Sequence, residues 1–326
     1  MTRFGSRSRA STYLSDWMPT SDATRQSVAG YSASGYDTSK LNGIDKLTFA
    51  TETKTTLSGT LTTARDRTSG MANSGVAGYF TGGDDNSGGS GTKDTSKITF
   101  PTDTKSALAA LTTKGSAAQS SSSNSGVAGY IIGGYSSGYG NWIDKLTFST
   151  EVISASSTVL SIRRYEHGAC SNQGAATYVA GGSGENSNLS SIEKLTFSTE
   201  AMSTLSATLS PVTYGVNGVT GMANSGAAGY FVGGAGGAGW SNAIDKLTFS
   251  TDTRTTLAAV LTTGIAIAAG YASSGVAGYI AGGHDTYVNK SRIDRIDFIS
   301  DTRTTLSATL TSARRGLAGL ANEGVF

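Results

Sequence analysis

Two stretches decide the fold because both recur along the chain: NSGVAGYIIGG at residues 124–134 and IDKLTFST at residues 143–150. The IDKLTF segment and its variants end at six phenylalanines, Phe49, Phe100, Phe148, Phe197, Phe249 and Phe298. The intervals between them are 51, 48, 49, 52 and 49 residues. A period of about 50 residues indicates a repeat protein in which each repeat is one supersecondary unit.

Each repeat contains four apolar or small-residue runs of strand length separated by turn signals. Examples of the four runs, in order, are GMANS (70–74), AGYFTGG (77–83), IDKLTFST (143–150) and RTTLAAVL (254–261). Asn-Ser-Gly joins the first two strands and Ser-Thr-Asp/Glu-Thr joins the last two, and both are tight-turn sequences. An up-and-down path then places these two hairpin turns at one end of the unit, which we call the uniform rim.

The connections at the other end differ in every repeat, and we call this end the varied rim. Five of them follow a glycine pair: DDNSGGSGTKDT (84–95), YSSGYGNW (135–142), SGENSNLS (183–190), AGGAGWSN (235–242) and HDTYVNKS (284–291). Variable loops on a uniform scaffold are the usual place for recognition.

The glycine-rich stretches do not have the spacing of a phosphate-binding loop. GGSGTK (88–93) separates its last glycine from Lys93 by a threonine, and GGYSSGYG precedes a strand rather than a helix. The glycine pair also occurs five times, whereas a binding site is needed once. The pairs therefore predict architecture, where backbones pack closely, rather than nucleotide binding.

This combination of four strands, a period near 50 and a hydrophobic run ending in Gly-Gly resembles the kelch repeat. The residues that carry the resemblance are YFTGG, YIIGG, YVAGG, YFVGG and YIAGG, a third strand ending in an aromatic residue, and an occasional arginine after the fourth strand (Arg65, Arg163 and Arg314). The resemblance implies an all-β fold, a kelch-like β-propeller whose blades are four-stranded antiparallel sheets. It covers residues 25–326, which we predict to be one domain.

The two ends of the chain predict how the ring closes. LANEGVF (320–326) matches the first-strand segment MANSGVA (71–77), while SVAGYSASG (27–35) begins with a second strand that has no first. Together they complete one blade, which removes exposed sheet edges. We therefore predict six blades, the closing blade being shared by the N- and C-termini.

Composition excludes several classes of function. The formal net charge is +2, from 25 basic and 23 acidic residues, so no field attracts nucleic acid or an acidic membrane. Cys170 is the single cysteine, and His167 and His284 lie 117 residues apart at different repeat positions. We expect no catalytic constellation, metal site or cofactor, and no apolar window approaches a membrane span, so no membrane insertion is expected.

An acidic and a basic residue alternate in the third strand. The acids are Asp45, Asp144, Glu193, Asp245 and Asp294, and the bases are Lys46, Lys145, Lys194, Lys246 and Arg295. Adjacent strand residues point to opposite faces, so the acid of one blade is predicted to meet the base of the next in a ring of structural ion pairs.

Aromatic and polar residues on the varied rim are the candidate recognition residues: Tyr36, Tyr135, Tyr139, Trp142, Trp240, His284, Asp285 and Tyr287. Such aromatics could stack on sugar rings or anchor a protein partner. The alternative is that Trp142 and Trp240, just before the third strand, fill gaps between blades. A carbohydrate- or host-receptor-binding module is therefore one functional hypothesis, with an extracellular or cell-surface location as its setting.

Residues 1–24 belong to no repeat and form a candidate assembly arm or a disordered tail. The arm hypothesis rests on Arg3, Phe4, Arg7, Arg9, Tyr13 and Trp17. The repeat wording, GYxxGG followed by IDKLTFSTDTRTTLSATL, is similar to kelch-like proteins of tailed bacteriophages, notably those of marine cyanobacteria. That resemblance implies a non-enzymatic virion component, a capsid or tail appendage or decoration, with other virion proteins or copies of itself as partners.

Overall fold

The computed structural model describes residues 28–86, 90–100, 102–210, 216–237, 239–286 and 288–323. The described residues contain 28 β-strands, which we number in chain order, and no helix. They form six four-stranded antiparallel sheets and two small two-stranded ones. This is the predicted all-β, six-bladed propeller.

The blades are numbered along the chain, and within each blade the strands are given from the first to the fourth. Blade 1 contains β28 (Ala318–Ala321), β1 (Ala29–Ala33), β2 (Ile44–Thr48) and β3 (Thr53–Thr56). Blade 2 contains β4 (Ser69–Asn73), β5 (Ala77–Thr81), β6 (Thr95–Thr99) and β7 (Thr104–Ala107). Blade 3 contains β8 (Ser120–Asn124), β9 (Ala128–Ile132), β10 (Ile143–Thr147) and β11 (Val152–Ala155).

The other three blades repeat the arrangement. Blade 4 contains β12 (Gly168–Asn172), β13 (Ala176–Ala180), β14 (Ser191–Thr196) and β15 (Ala201–Thr208). Blade 5 contains β16 (Thr220–Asn224), β17 (Ala228–Val232), β20 (Ile244–Thr248) and β21 (Thr253–Thr256). Blade 6 contains β22 (Ala269–Ser273), β23 (Ala277–Ala281), β26 (Arg292–Asp297) and β27 (Arg303–Thr309). Loops of blades 5 and 6 add two short hairpins, β18 (Ala235–Gly236) with β19 (Gly239–Trp240) and β24 (His284–Asp285) with β25 (Val288–Asn289).

The first strands line the central channel and close the ring. Each packs beside the first strand of the next blade, in the order β28, β4, β8, β12, β16, β22 and back to β28. In blade 1 the strand from the C-terminal end of the chain pairs with the strand from its N-terminal end, with Gly30 opposite Ala321. The shared closing blade is thus confirmed, and it replaces two exposed edges with a complete sheet.

Glycines allow the first strands to approach one another. A Cβ atom on Gly270 would lie 2.3 Å from the carbonyl oxygen of Gly221, and one on Gly319 would lie 2.2 Å from that of Gly270. Real side chains do not tolerate such distances, so these positions accept only glycine without movement of the backbone. The channel is narrow as a result.

The outer strands are joined between blades by a repeated three-residue clasp. The base of the third strand and the tyrosine of the second strand both contact one carboxylate, which lies in the hairpin turn before the fourth strand of the next blade. Lys46 Nζ and Tyr31 Oη each lie 2.7 Å from the Asp103 carboxylate. The other clasps are Lys97–Tyr79–Glu151, Lys145–Tyr130–Glu200, Lys194–Tyr178–Asp252, Lys246–Tyr230–Asp301 and Arg295–Tyr279–Glu52.

Each clasp is also an aromatic contact. The tyrosine ring stacks on the phenylalanine that ends the third strand of the next blade, as Tyr79 does on Phe148 with centroids 5.6 Å apart. All six clasp acids have a left-handed backbone, with φ between 50° and 56°. That conformation is costly for most residues with a Cβ and is tolerated better by aspartate, which occupies three of the six positions.

The predicted ring of ion pairs therefore exists, but its acids were assigned wrongly. The third-strand acids are buried and face the preceding blade, where they accept hydrogen bonds from the segment between blades: the backbone N–H of Thr113 donates to Asp144 at 2.7 Å, and that of Thr311 to Asp45 at 2.9 Å. The alternation of faces was correct. The error arose because the base pairs instead with the acid of the Ser-Thr-Asp/Glu-Thr turn in the next blade.

One of the three repeat arginines was also assigned wrongly. Arg65, Arg164 and Arg314 are the buried residues at the equivalent position, whereas the predicted Arg163 has an exposed side chain. Arg164 forms a fully buried ion pair with Glu193, and Arg314 pairs with Asp45 at 3.1 Å. In blade 2 the acid is replaced by Ser96, which accepts a hydrogen bond from Arg65, and burial lowers the Arg65 pKa to about 10.

The uniform rim carries a second ring of contacts between blades. Asparagine and serine side chains of the first hairpin turns accept hydrogen bonds from backbone N–H groups of neighbouring blades, such as Gly126 to Asn73 at 2.9 Å and Ser74 to Ser125 at 2.8 Å. Strand β1 starts at this rim, because every second strand follows the first hairpin turn. Val28, the first described residue, therefore lies at the uniform rim.

Candidate recognition rim

The varied rim consists of the loops between second and third strands (34–43, 82–94, 133–142, 181–190, 233–243 and 282–291) and the segments that connect one blade to the next. A backbone bridge joins the two kinds of segment in every blade: Tyr36 with Arg315, Asp66 with Asp84, Ala117 with Tyr135, Tyr165 with Ser183, Asn217 with Ala235, and Ala266 with His284. These bridges fix loops of different sequence in the same position relative to the channel.

The residue after each bridge takes part in a closed ring of backbone hydrogen bonds around the channel mouth. Each N–H donates to the carbonyl of the equivalent residue one blade away, at 2.6–2.9 Å, through Arg67, Gly316, Ile267, Gly218, Glu166, Ala118 and back to Arg67. All six have a left-handed φ, between 52° and 68°. The N–H groups of these six residues are all used as donors within the ring, so recognition at the mouth depends on side chains.

Two of these side chains carry charge and are paired with each other. Arg67 Nε lies 3.2 Å from Glu166 Oε1, and the Glu166 side chain is mostly buried. Burial raises the pKa of Glu166, while Arg67 acts in the opposite direction. Arg67 and Glu166 thus neutralise each other at the channel mouth.

Below the mouth, one level of the channel is formed by six residues at equivalent repeat positions: Thr68, Gln119, His167, Val219, Ala268 and Leu317. Blades 2 to 4 supply the polar half and blades 5, 6 and 1 the apolar half. The two cavities at this level have volumes of only about 90 and 80 Å³. Burial, together with the nearby Arg164, lowers the His167 pKa to about 3, so this histidine is neutral.

Three tyrosines contact one another where blades 3 and 4 meet on the varied rim. The rings of Tyr135 and Tyr139 are 6.1 Å apart, and both touch Tyr165, at 5.6 and 5.3 Å. Tyr135 is exposed, at 39%, and the other two are half-buried. Of the predicted rim residues, Tyr135 and Tyr139 are therefore brought together, and the sequence analysis missed Tyr165.

A groove of about 410 Å³ lies beside this cluster, between the segment 161–163 and the loop 184–189 of blade 4. Its lining residues are Ser161, Ile162, Arg163, Gly184, Glu185, Asn186, Ser187 and Leu189. An exposed ion pair spans it, with Arg163 Nη1 3.3 Å from Glu185 Oε1. Sequence analysis placed the loop but not the groove, because the segment 161–163 belongs to a different connection of the repeat.

The other predicted rim residues lie apart from this groove. Trp240 of blade 5 packs edge-on against His284 of blade 6, with ring centroids 4.4 Å apart. This geometry favours the gap-filling alternative for that tryptophan. Burial, with the positive charges of Arg315 and Arg67, lowers the His284 pKa to about 4, and Asp285 pairs with Lys290 within its own loop at 2.7 Å.

Trp142 and Tyr36 are also packed locally. The Trp142 ring lies so close to Gly140 that a Cβ there would be 2.5 Å from it. The Arg315 guanidinium stacks 5.2 Å from the Tyr36 ring centroid. Tyr287 and the arm residues Arg3, Phe4, Arg7, Arg9, Tyr13 and Trp17 lie outside the described residues.

The part of the chain that the structure describes contains neither a candidate metal site nor a candidate membrane-spanning helix. No group of three or more His, Cys, Asp and Glu side chains in that part of the chain is placed to hold a metal ion. Within the same residues, no helix is long and apolar enough to cross a membrane. Cys170 is fully buried, and burial raises its thiol pKa.

Comparison with known proteins supports the architecture. No protein-family model matches the chain, and no curated protein matches it. Among solved structures it is similar to one described as "Structure of YjhT", with a TM-score of 0.66 and 15% sequence identity over 85% of this chain and 97% of that one. At this identity the similarity concerns the fold alone. Together with the six closed blades, it identifies the chain as a six-bladed β-propeller.

Proposed function

We propose that this chain is a non-enzymatic display propeller, a kelch-type repeat protein that is attached through its uniform rim and presents its varied rim to a partner. The observation that carries this proposal is the position of Val28, the first described residue, which lies at the uniform rim. The loops that differ between repeats lie on the opposite rim. An attachment segment at residues 1–24 would therefore point the varied rim away from the attachment site.

The distribution of chemistry supports a binding role over catalysis. Arg67 and Glu166 at the channel mouth pair with each other, and His167 is buried and neutral. His284 packs edge-on against Trp240 of another blade. Catalytic acids and bases need access to substrate, and both histidines are buried.

The biological setting that we propose is the virion of a tailed bacteriophage, where the chain is a capsid or tail appendage or decoration. Support comes from the repeat sequence, which is similar to that of tailed-phage kelch-like proteins, and from the position of Val28 on the rim opposite the variable loops. The partners on the uniform-rim side are then other virion proteins or copies of this chain. On the varied-rim side the second candidate function applies, binding of a host-surface glycan or receptor, which the exposed tyrosine cluster favours.

The orientation can be tested by cysteine labelling because the only native cysteine is buried. Ser137→Cys places a thiol on the varied rim and Ser74→Cys places one on the uniform rim, both at exposed positions. In purified particles that carry the protein, a maleimide should label Ser137→Cys rapidly and Ser74→Cys slowly. In the free protein the two rates should be similar.

Quantitative mass spectrometry of purified particles is the first step of this test. Absence of the chain from particles would refute the virion setting. Equal labelling of the two cysteines on particles would refute attachment through the uniform rim. Deletion of residues 1–24 should leave a folded propeller, seen by circular dichroism, that no longer joins particles.

A further inference from the structure

The groove of blade 4 is preorganised by backbone hydrogen bonds on both sides. Its loop is a small hairpin in which Gly184 N–H donates to Ser187 at 2.9 Å and Leu189 N–H donates to Gly182 at 2.8 Å. The opposite wall is tied to the same loop, because Tyr165 and Ser183 exchange backbone hydrogen bonds of 3.1 and 2.8 Å. A ligand would therefore find a formed site, and little ordering would oppose its binding.

The groove offers hydrogen-bond donors and acceptors without net charge. Arg163 and Glu185 are 60% and 53% exposed, and their contact uses one guanidinium nitrogen and one carboxylate oxygen. The remaining N–H groups and the second oxygen can each bond a ligand, beside the Asn186 amide and the Ser161 and Ser187 hydroxyls. A free anion would have to compete with Glu185 for the guanidinium, so the site favours a neutral ligand that both donates and accepts.

The apolar lining of the groove suits the C–H faces of a sugar ring. Ile162 and Leu189 contribute apolar walls to the same groove, and the tyrosine cluster begins at Tyr165, whose backbone pairs with Ser183 next to Gly184. Pyranose rings present hydroxyls at their edge and C–H groups on their faces, which suits a site with polar groups between apolar walls. The volume of about 410 Å³ lies within the usual range for small-molecule sites, about 300–1,000 Å³.

We propose that this groove binds one pyranose unit of a neutral glycan, with Arg163 and Glu185 as its hydroxyl-binding pair. This inference rests on the proposed function in so far as the varied rim faces the partner. It differs from the sequence-based hypothesis, whose candidate recognition residues were Tyr36, Tyr135, Tyr139, Trp142, Trp240, His284, Asp285 and Tyr287. A longer glycan continues from the groove toward the exposed ring of Tyr135.

The experiment uses the full chain and a panel of defined probes. The probes are the methyl α- and β-pyranosides of glucose, galactose, mannose and N-acetylglucosamine, tested by saturation-transfer NMR and titration at millimolar concentrations. At least one should bind with a dissociation constant of about 1 mM, typical of one small ligand with few contacts. Arg163→Ala and Glu185→Ala should each weaken it at least about tenfold, the effect of losing one hydrogen bond to a charged group.

A matched control comes from blade 6. Asp285 and Lys290 form an ion pair in the equivalent loop, so Asp285→Asn removes a similar charge from the same rim without touching the groove. This variant should bind the sugar as the wild type does. Sodium sulfate at the same concentration as the sugar should not displace it, because the site is neutral.

Three outcomes would overturn the inference: no probe binds, binding is unchanged in both groove variants, or sulfate displaces the sugar. The display proposal is separate, because particle incorporation and Ser137→Cys labelling do not depend on Arg163 or Glu185. Sugar binding by the free protein combined with absence from particles would refute the virion setting alone. Normal display without sugar binding would refute the groove assignment alone.

Discussion

The clasp between blades 1 and 2 allows a quantitative prediction of how the ring is held together. Asp103 accepts hydrogen bonds from Tyr31 Oη and Lys46 Nζ, both at 2.7 Å, and its side chain is 19% exposed. Asp103→Ala removes both bonds. It also leaves a Cβ at φ 56° without the polar side chain that makes such a backbone tolerable in aspartate.

The expected magnitude follows from these three terms. The hydrogen bond of a tyrosine to a carboxylate contributes about 1.5–3 kcal/mol, and the partly exposed ion pair adds about 0.2–1 kcal/mol. The left-handed backbone costs alanine about 1 kcal/mol. Together we expect Asp103→Ala to lower the free energy of unfolding by about 3–5 kcal/mol and, in a domain of this size, to lower Tm by about 6–10 °C.

Asp103→Asn separates these terms. Asparagine tolerates the left-handed conformation and its carbonyl accepts from Tyr31, so the losses are the ion pair with Lys46 and the extra strength of a hydrogen bond to a charged acceptor, about 2 kcal/mol together. A double-mutant cycle of Tyr31→Phe and Asp103→Ala, followed by calorimetry, should give a coupling energy of about 1–2 kcal/mol. The exposed acid Glu185 is the control, and Glu185→Ala should change stability by less than about 0.5 kcal/mol.

Two results would refute this account. If Asp103→Ala is as stable as the wild type, the clasp does not hold the blades together. If its cost is the same in the Tyr31→Phe background, the tyrosine and the carboxylate act independently, and the loss comes from the backbone and the Lys46 ion pair.

Three further predictions test other parts of the scaffold. Gly270→Ala should destabilise the protein by about 1–3 kcal/mol in urea unfolding because its Cβ meets the Gly221 carbonyl, whereas Gly138→Ala, with nothing within 4 Å, should be neutral. Arg164→Met should cost about 3–5 kcal/mol by leaving Glu193 buried without its partner, and adding Glu193→Gln should recover part of that loss. His167 has a folded pKa of about 3, so between pH 6.5 and pH 3 the unfolded chain binds a proton that the folded chain does not. The free energy of unfolding should therefore fall by about 1.4 kcal/mol for each pH unit that the pH is lowered in this range. His167→Asn should remove that part of the pH dependence, and an unchanged slope would contradict the neutral buried histidine.

The sequence alone predicted those features of the fold that every repeat specifies. The period, the hairpin turns and the matching ends determined six blades and the shared closing blade, because each repeat must bury its faces against a neighbour. Strand extent was predicted less well. The fourth strand was expected over 254–261 in blade 5, but β21 ends at Thr256, since an outer strand has a partner on one side only and alternation does not show where pairing stops.

The candidate site was less predictable because it combines segments from different connections. Tyr135 and Tyr139 lie in one loop and were found, but Tyr165 follows the fourth strand of the same blade and reaches them only through the propeller geometry. The groove has the same origin, with Arg163 and Glu185 22 residues apart. A signal was present in SIRRYE (161–166), the segment between blades that carries two adjacent arginines and a tyrosine.

Comparison of the repeats within this one chain separates scaffold from recognition. The clasp acids, the clasp tyrosines and the backbone ring occur in all six blades, and their contacts join neighbouring blades. Positions that face the channel at the level of His167 differ in every blade, and those on the varied rim differ between most blades, although the backbone around them is the same. A repeat that was constrained only by stability would be free to use one residue at these positions throughout. Their divergence on a repeated backbone supports the proposed recognition role of the varied rim, and the groove of blade 4 is the part of that rim where we expect a ligand to bind.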